Sequence, residues 1–110
     1  MAALVAILFS GCYKPIPVEE PVLSEDDIKI ILKDIHVAEA LLTEVTDRRT
    51  KDSLARLYYK QIFYLHDIKQ EDFDQSMNAL FTNPPVLDSL YQEVLKELET
   101  EKKALLNEKK

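Results

Sequence analysis

Three side chains of this chain are of the kinds that bind metals or move protons. His36 and Glu39 lie one helical turn apart, and His66 with Asp67 closes a later apolar segment. Imidazole and carboxylate both suit zinc, and either can exchange a proton with a substrate. One reading is therefore a small metal-binding or hydrolytic protein using His36, Glu39 and His66. Diiron bundles, however, use Glu-x-x-His on two helices, and here the order is reversed and occurs once. On a helical wheel Glu39 falls inside an apolar arc between Ile35 and Leu42, with His36 at its border. A carboxylate there needs a partner, or its pKa rises. The better expectation is a buried polar site at His36 and Glu39, with Glu39 bonded to a tyrosine or to an arginine such as Arg56. No metal, cofactor or catalytic residue is assigned.

A second reactive group sits near the start. The opening "MAALVAILFSGCYKPIPVEEP" carries the only glycine and the only cysteine of the chain. Its apolar run is too short to span a bilayer, which takes about 20 apolar residues. A short apolar run followed by small residues is the pattern of an export signal. "LFSGC" resembles the lipobox of bacterial lipoproteins, although Phe9 stands where leucine is usual and no cationic segment precedes it. The resemblance implies cleavage between Gly11 and Cys12 and acylation of Cys12. Residues 1–11 are then a signal peptide, residues 12–23 a lipidated cysteine and tether, and residues 24–110 the domain. Pro15, Pro17 and Pro21 would keep the tether extended, at about 3.1 Å per residue where it is polyproline-like. That sets the domain on the order of 30 Å from the membrane.

Other chemistry is excluded by what the mature chain lacks. Without glycine after position 11, neither a phosphate-cradling loop nor a dinucleotide fingerprint nor a nucleophile elbow can form. With its one cysteine acylated, no thiolate remains for zinc or redox work. The net charge is -6, and the lysines of "EKKALLNEKK" are mixed with glutamates, so no basic patch exists to bind nucleic acid.

The elements that position these groups are helices. Ser24 is a good N-cap with acidic residues behind it. Ile28, Ile31, Ile35, Ala38, Leu42 and Val45 recur at spacings of three and four, a helical stripe. Ile30, Val37 and Leu41 form a second line, as in a central helix packed on both sides. A second helix covers Lys51 to Leu65 with Leu54, Tyr58, Ile62 and Leu65 as its core line. Tyr59, Phe63 and Tyr64 make an aromatic edge, read either as packing against the third helix or as a partner surface. Asp67 with Gln70 has capping-box spacing and opens a short third helix that buries Phe73, Met77, Leu80 and Phe81. Pro84 and Pro85 stop it and begin a fourth, with Leu87, Tyr91, Val94 and Leu98 inward. The expected fold is all-α, a small bundle of three to four helices after a signal peptide and a proline-rich tether.

The segments "DIHVAEA", "YYKQIF" and "FDQSM" followed by "NP" resemble a family of Bacteroidota lipoproteins, domain of unknown function 4296. The similarity spans about residues 21 to 98. Two positions depart from it: Asp67 stands where glycine is common, and Lys69 where serine or threonine is common. The resemblance implies a helical, exported, membrane-anchored protein and assigns no catalytic residue. The expected function is a non-enzymatic, protein-binding helical module, held in the cell envelope through acylated Cys12, with an envelope protein as its partner. The outer membrane is the expected location. A folding-helper domain, resting on the aromatic edge, is the other alternative.

Overall fold

Ser24 begins the first helix: its hydroxyl accepts the Asp27 N–H at 3.1 Å. Glu25, Asp26 and Asp27 add negative charge to the first turn, which complements the positive end of the helix dipole. The computed structural model describes residues 17–108. It contains four helices, α1 (Glu25–Leu42), α2 (Arg48–Leu65), α3 (Gln70–Phe81) and α4 (Pro84–Glu108). No strand occurs among the described residues, so the fold is the all-α bundle that the periodicity predicts. The expected leader 1–11, with Gly11 and Cys12, lies outside the described residues.

The helix ends follow local chemistry. α1 stops at Leu42 rather than Val45, with the Thr43 N–H bonded back to the Glu39 carbonyl at 3.2 Å. Asp47 then accepts the Thr50 N–H at 3.0 Å and the Thr50 hydroxyl at 2.6 Å. That cap starts α2 at Arg48, one turn earlier than Lys51. Those two bonds hold the Asp47 carboxyl below the usual carboxylate range.

The end of α2 corrects the expected role of Asp67. Asp67 does not cap α3; it sits in the left-handed region with φ 52°. The Ile68 N–H bonds to the Phe63 carbonyl at 3.0 Å and the Asp67 N–H to the Tyr64 carbonyl at 3.2 Å. This pair of bonds is a Schellman motif, and its left-handed residue is ordinarily glycine. The glycine that the family resemblance leads one to expect here thus has a backbone reason. Lys69 occupies the α3 N-cap and makes no side-chain cap bond. Asp67→Gly should raise stability by about 0.5–1 kcal/mol, several degrees in Tm. Thermal unfolding followed by circular dichroism checks this, and a lower Tm would contradict the left-handed assignment.

The core joins all four helices: Ile28, Ile31, Leu32 and Ala38 from α1, Ile62 and Phe63 from α2, Phe73 and Leu80 from α3, Leu90 and Val94 from α4. α1 is central, packed against both α2 and α4. Its second apolar line is not a packing face, since Ile30, Val37 and Leu41 remain exposed. Leu32 and Leu90 are buried where the wheel did not place them, and Leu65, Phe81 and Tyr91 are exposed where it did.

α1 and α4 run parallel, as a charged ladder between them shows. Lys29 bonds Glu93 at 3.2 Å and Glu97 at 3.5 Å, while Lys33 pairs with Glu97 and Glu101. The bonds to Glu93 and to Glu101 raise the Lys29 and Lys33 ammonium groups above their ordinary value, aided by the charge of Glu97. Exposed pairs of this kind contribute little stability; they fix register.

The residues before α1 are not a free leash along their whole length. The Leu23 N–H donates to the Ser76 hydroxyl at 3.0 Å, the Val22 N–H to Gln75 Oε1 at 2.9 Å, and the Glu19 N–H to Thr82 Oγ1 at 3.0 Å. Gln75 Nε2 returns a bond to the Glu20 carbonyl at 3.2 Å. Residues 19–23 thus form a strap running antiparallel to α3. Ser76 is fully buried, and its hydroxyl also donates to the Asp72 carbonyl at 2.7 Å, so its polar atom is satisfied. The "FDQSM" segment is the clamp: Phe73 fills the core while Gln75 and Ser76 grip the strap. The expectation of an extended tether over residues 12–23 is thereby corrected for residues 19–23, which are bonded to α3.

Candidate functional site

The three proton-active residues do not converge. His66, at the C-cap of α2, places Nε2 at 2.6 Å from Asp34 Oδ2. Asp34 and His36 are two residues apart on α1, about 200° around the helix, so the imidazole of His66 lies on a different side from that of His36. Among the described residues no group of three or more His, Cys, Asp and Glu side chains is placed to hold a metal ion. The Asp34–His66 pair ties the end of α2 to the middle of α1.

His36 and Glu39 are both exposed, which corrects the expectation of a buried polar site. A shallow depression lined by Ile35, Tyr59, Phe63, Gln70 and Phe73 marks where α3 begins. Glu39 lies one turn further along α1, past the reach of α3, and water covers what a longer helix would have buried. Partial burial, with the Glu39 carboxylate charge nearby, pushes the Tyr59 hydroxyl above its ordinary range.

The aromatic edge also divides. Phe63 is in the core, its ring 5.4 Å from that of Phe73 and tilted by 56°, a favourable aromatic geometry. Tyr59 is half-buried against the core. Tyr64 alone faces water, 86% exposed. A partner surface made of Tyr59, Phe63 and Tyr64 together is therefore corrected: Phe63 belongs to the α2–α3 contact, and the folding-helper reading loses the edge on which it rested.

What the bundle leaves exposed instead is the α1–α2 face. Val37, Leu41 and Leu65 are 47%, 57% and 74% exposed. With Ala38, Tyr58 and Ile62 they line an open groove of about 230 Å³, with Asp34 at its edge. Single exposed aliphatic residues are ordinary; a contiguous group on two adjacent helices is the feature that marks an interaction surface. Asp34 and this groove escaped the sequence reading, though one signal was present. An antiparallel α1–α2 pair in which Glu39 meets Tyr59 brings residues whose numbers sum to about 100 together, which sets His66 opposite Asp34.

A family model described as a domain of unknown function (DUF4296) matches residues 20–104, from the strap to the last turns of α4. No curated protein and no solved structure matches the chain.

Proposed function

The chain belongs to the DUF4296 family, and from that premise we propose that it is a lipid-anchored, non-enzymatic helical module that holds a protein partner in the cell envelope. The observation that carries the reading is Cys12, which closes an apolar run after "LFSG" and stands seven residues before the strapped Glu19. A lipidated cysteine followed by a short extended segment and a folded domain is the order a tethered module needs. The absence of a helix able to cross a membrane among the described residues is compatible with an anchor made of acyl chains.

The protein-binding part of the reading is supported by the groove between α1 and α2. Helix-in-groove docking uses aliphatic anchors in such a cleft, and Val37, Leu41 and Leu65 offer them. The paired His66 and the separated His36 and Glu39 give a metal or hydrolytic reading no geometry to favour it. Mass spectrometry of the chain purified from membranes tests the anchor directly. The expected result is a mature N-terminus at Cys12 with fatty acyl mass on that residue. An unmodified thiol with residues 1–11 still attached would overturn it.

A further inference from the structure

We propose that the corner where α3 ends and α4 begins lies against the lipid surface, with Phe81 and Val18 as its apolar contacts. This rests on the reading of Cys12 as the acylated residue and goes beyond it by assigning an orientation. Two observations carry it. The first is where the strap leaves α3. The strap runs antiparallel to α3, so its outermost bond, Glu19 N–H to Thr82 Oγ1 at 3.0 Å, is at the C-terminal end of α3. From Cys12 to Glu19 the chain reaches no more than about 25 Å. α4 starts at this corner and extends away for 25 residues, about 37 Å at helical rise. An anchor at Cys12 therefore holds the Thr82 end of the bundle near the bilayer, while the α4 tip points outward.

The second observation is what that corner exposes. Val18 and Phe81 immediately precede the two residues joined by the Glu19–Thr82 bond, and they are 57% and 63% exposed. The helix period directs Phe81 away from the core, which Leu80 and Ala79 enter instead. A large aromatic side chain held at the tether exit suits the interfacial zone, where an apolar body is buried to a depth of about 5–10 Å. Glu19, Glu20 and Glu25 line a depression at this corner beside Val18 and Leu80, so the surface it fits is zwitterionic rather than anionic.

The test uses the absence of tryptophan from the chain. Phe81→Trp and, at the outward tip, Leu106→Trp each introduce a single fluorophore at an exposed position, where folding is unaffected. The acylated full-length chain is placed in phosphatidylcholine vesicles carrying brominated acyl chains. A fluorophore within the interfacial depth of about 5–10 Å is expected to lose emission to the bromine atoms. Quenching with Phe81→Trp and none with Leu106→Trp supports the orientation, and added anionic lipid should reduce it. Flotation with the vesicles but no quenching at position 81 overturns the orientation and leaves the anchor intact. So does a blue shift that appears without vesicles and grows with protein concentration, which identifies a second copy as the occupant. Failure of the unsubstituted chain to float with the vesicles overturns the anchor reading and this one with it.

Discussion

A chain carrying Cys12→Ala behind an ordinary cleavable secretory leader is expected in the soluble envelope fraction, whereas the unsubstituted chain sediments with membranes. Each buried methylene contributes about 0.8 kcal/mol, so one acyl chain binds weakly and two or more hold firmly. The alanine side chain accepts none. A leader cut in the ordinary way is needed, because an uncut apolar run would itself hold the protein to the bilayer. No helix among the described residues can replace the anchor, since none is long and apolar enough to cross a membrane. The proposed contacts at Phe81 and Val18 are two side chains and do not retain a chain that lacks lipid. Fractionation with immunoblotting reads the shift as nearly complete. Retention of the variant in the membrane pellet would place the anchor elsewhere in the protein and remove the main support for the tethered module.

The second large effect is in stability. Ile31→Ala should lower the unfolding free energy by about 2–5 kcal/mol, the range for truncating a buried aliphatic side chain. Ile31 is fully buried, on the central helix, where the cavity left behind borders a core that all four helices share. The whole domain is expected to be stable by only about 5–15 kcal/mol, so this one change consumes a large part of it. At about 4–8 °C per kcal/mol for a domain of this size, the Tm falls by about 8 °C or more. Urea unfolding should show a lower midpoint at an unchanged slope. Val37→Ala, one of the exposed aliphatic positions on the same helix, is the control, with a change within about 0.5 kcal/mol. Equal effects at the two positions would mean that the assigned core face of α1 is wrong.

These two predictions draw on different kinds of legibility. The proposal for Cys12 rests on a local motif, because a signal is recognised as a short linear string. The inward face of Ile28 and Ile31 is readable because helical periodicity repeats within a window of a few turns. The same holds for Ser24 as a cap and for Pro84 and Pro85 as a stop, each acting on backbone groups within one turn. Asp67 was misread although it too is local. Its spacing to Gln70 fits a capping box, but the Schellman bonds to Tyr64 and Phe63 claim it first, and only backbone geometry distinguishes the two.

Helix type and helix order were determined by residues near one another in sequence. Which faces became dry was decided by tertiary structure. Glu39 and His36 are wet because α3 ends short of them; Phe63 is dry because Phe73 meets it; His66 finds Asp34, 32 positions away. The strap is the clearest case, with residues 19–23 held by Gln75, Ser76 and Thr82, more than 50 positions downstream. Periodicity orients a side chain about its own helix axis, but burial depends on what a distant segment brings to that side. No local window contains both partners of such a contact.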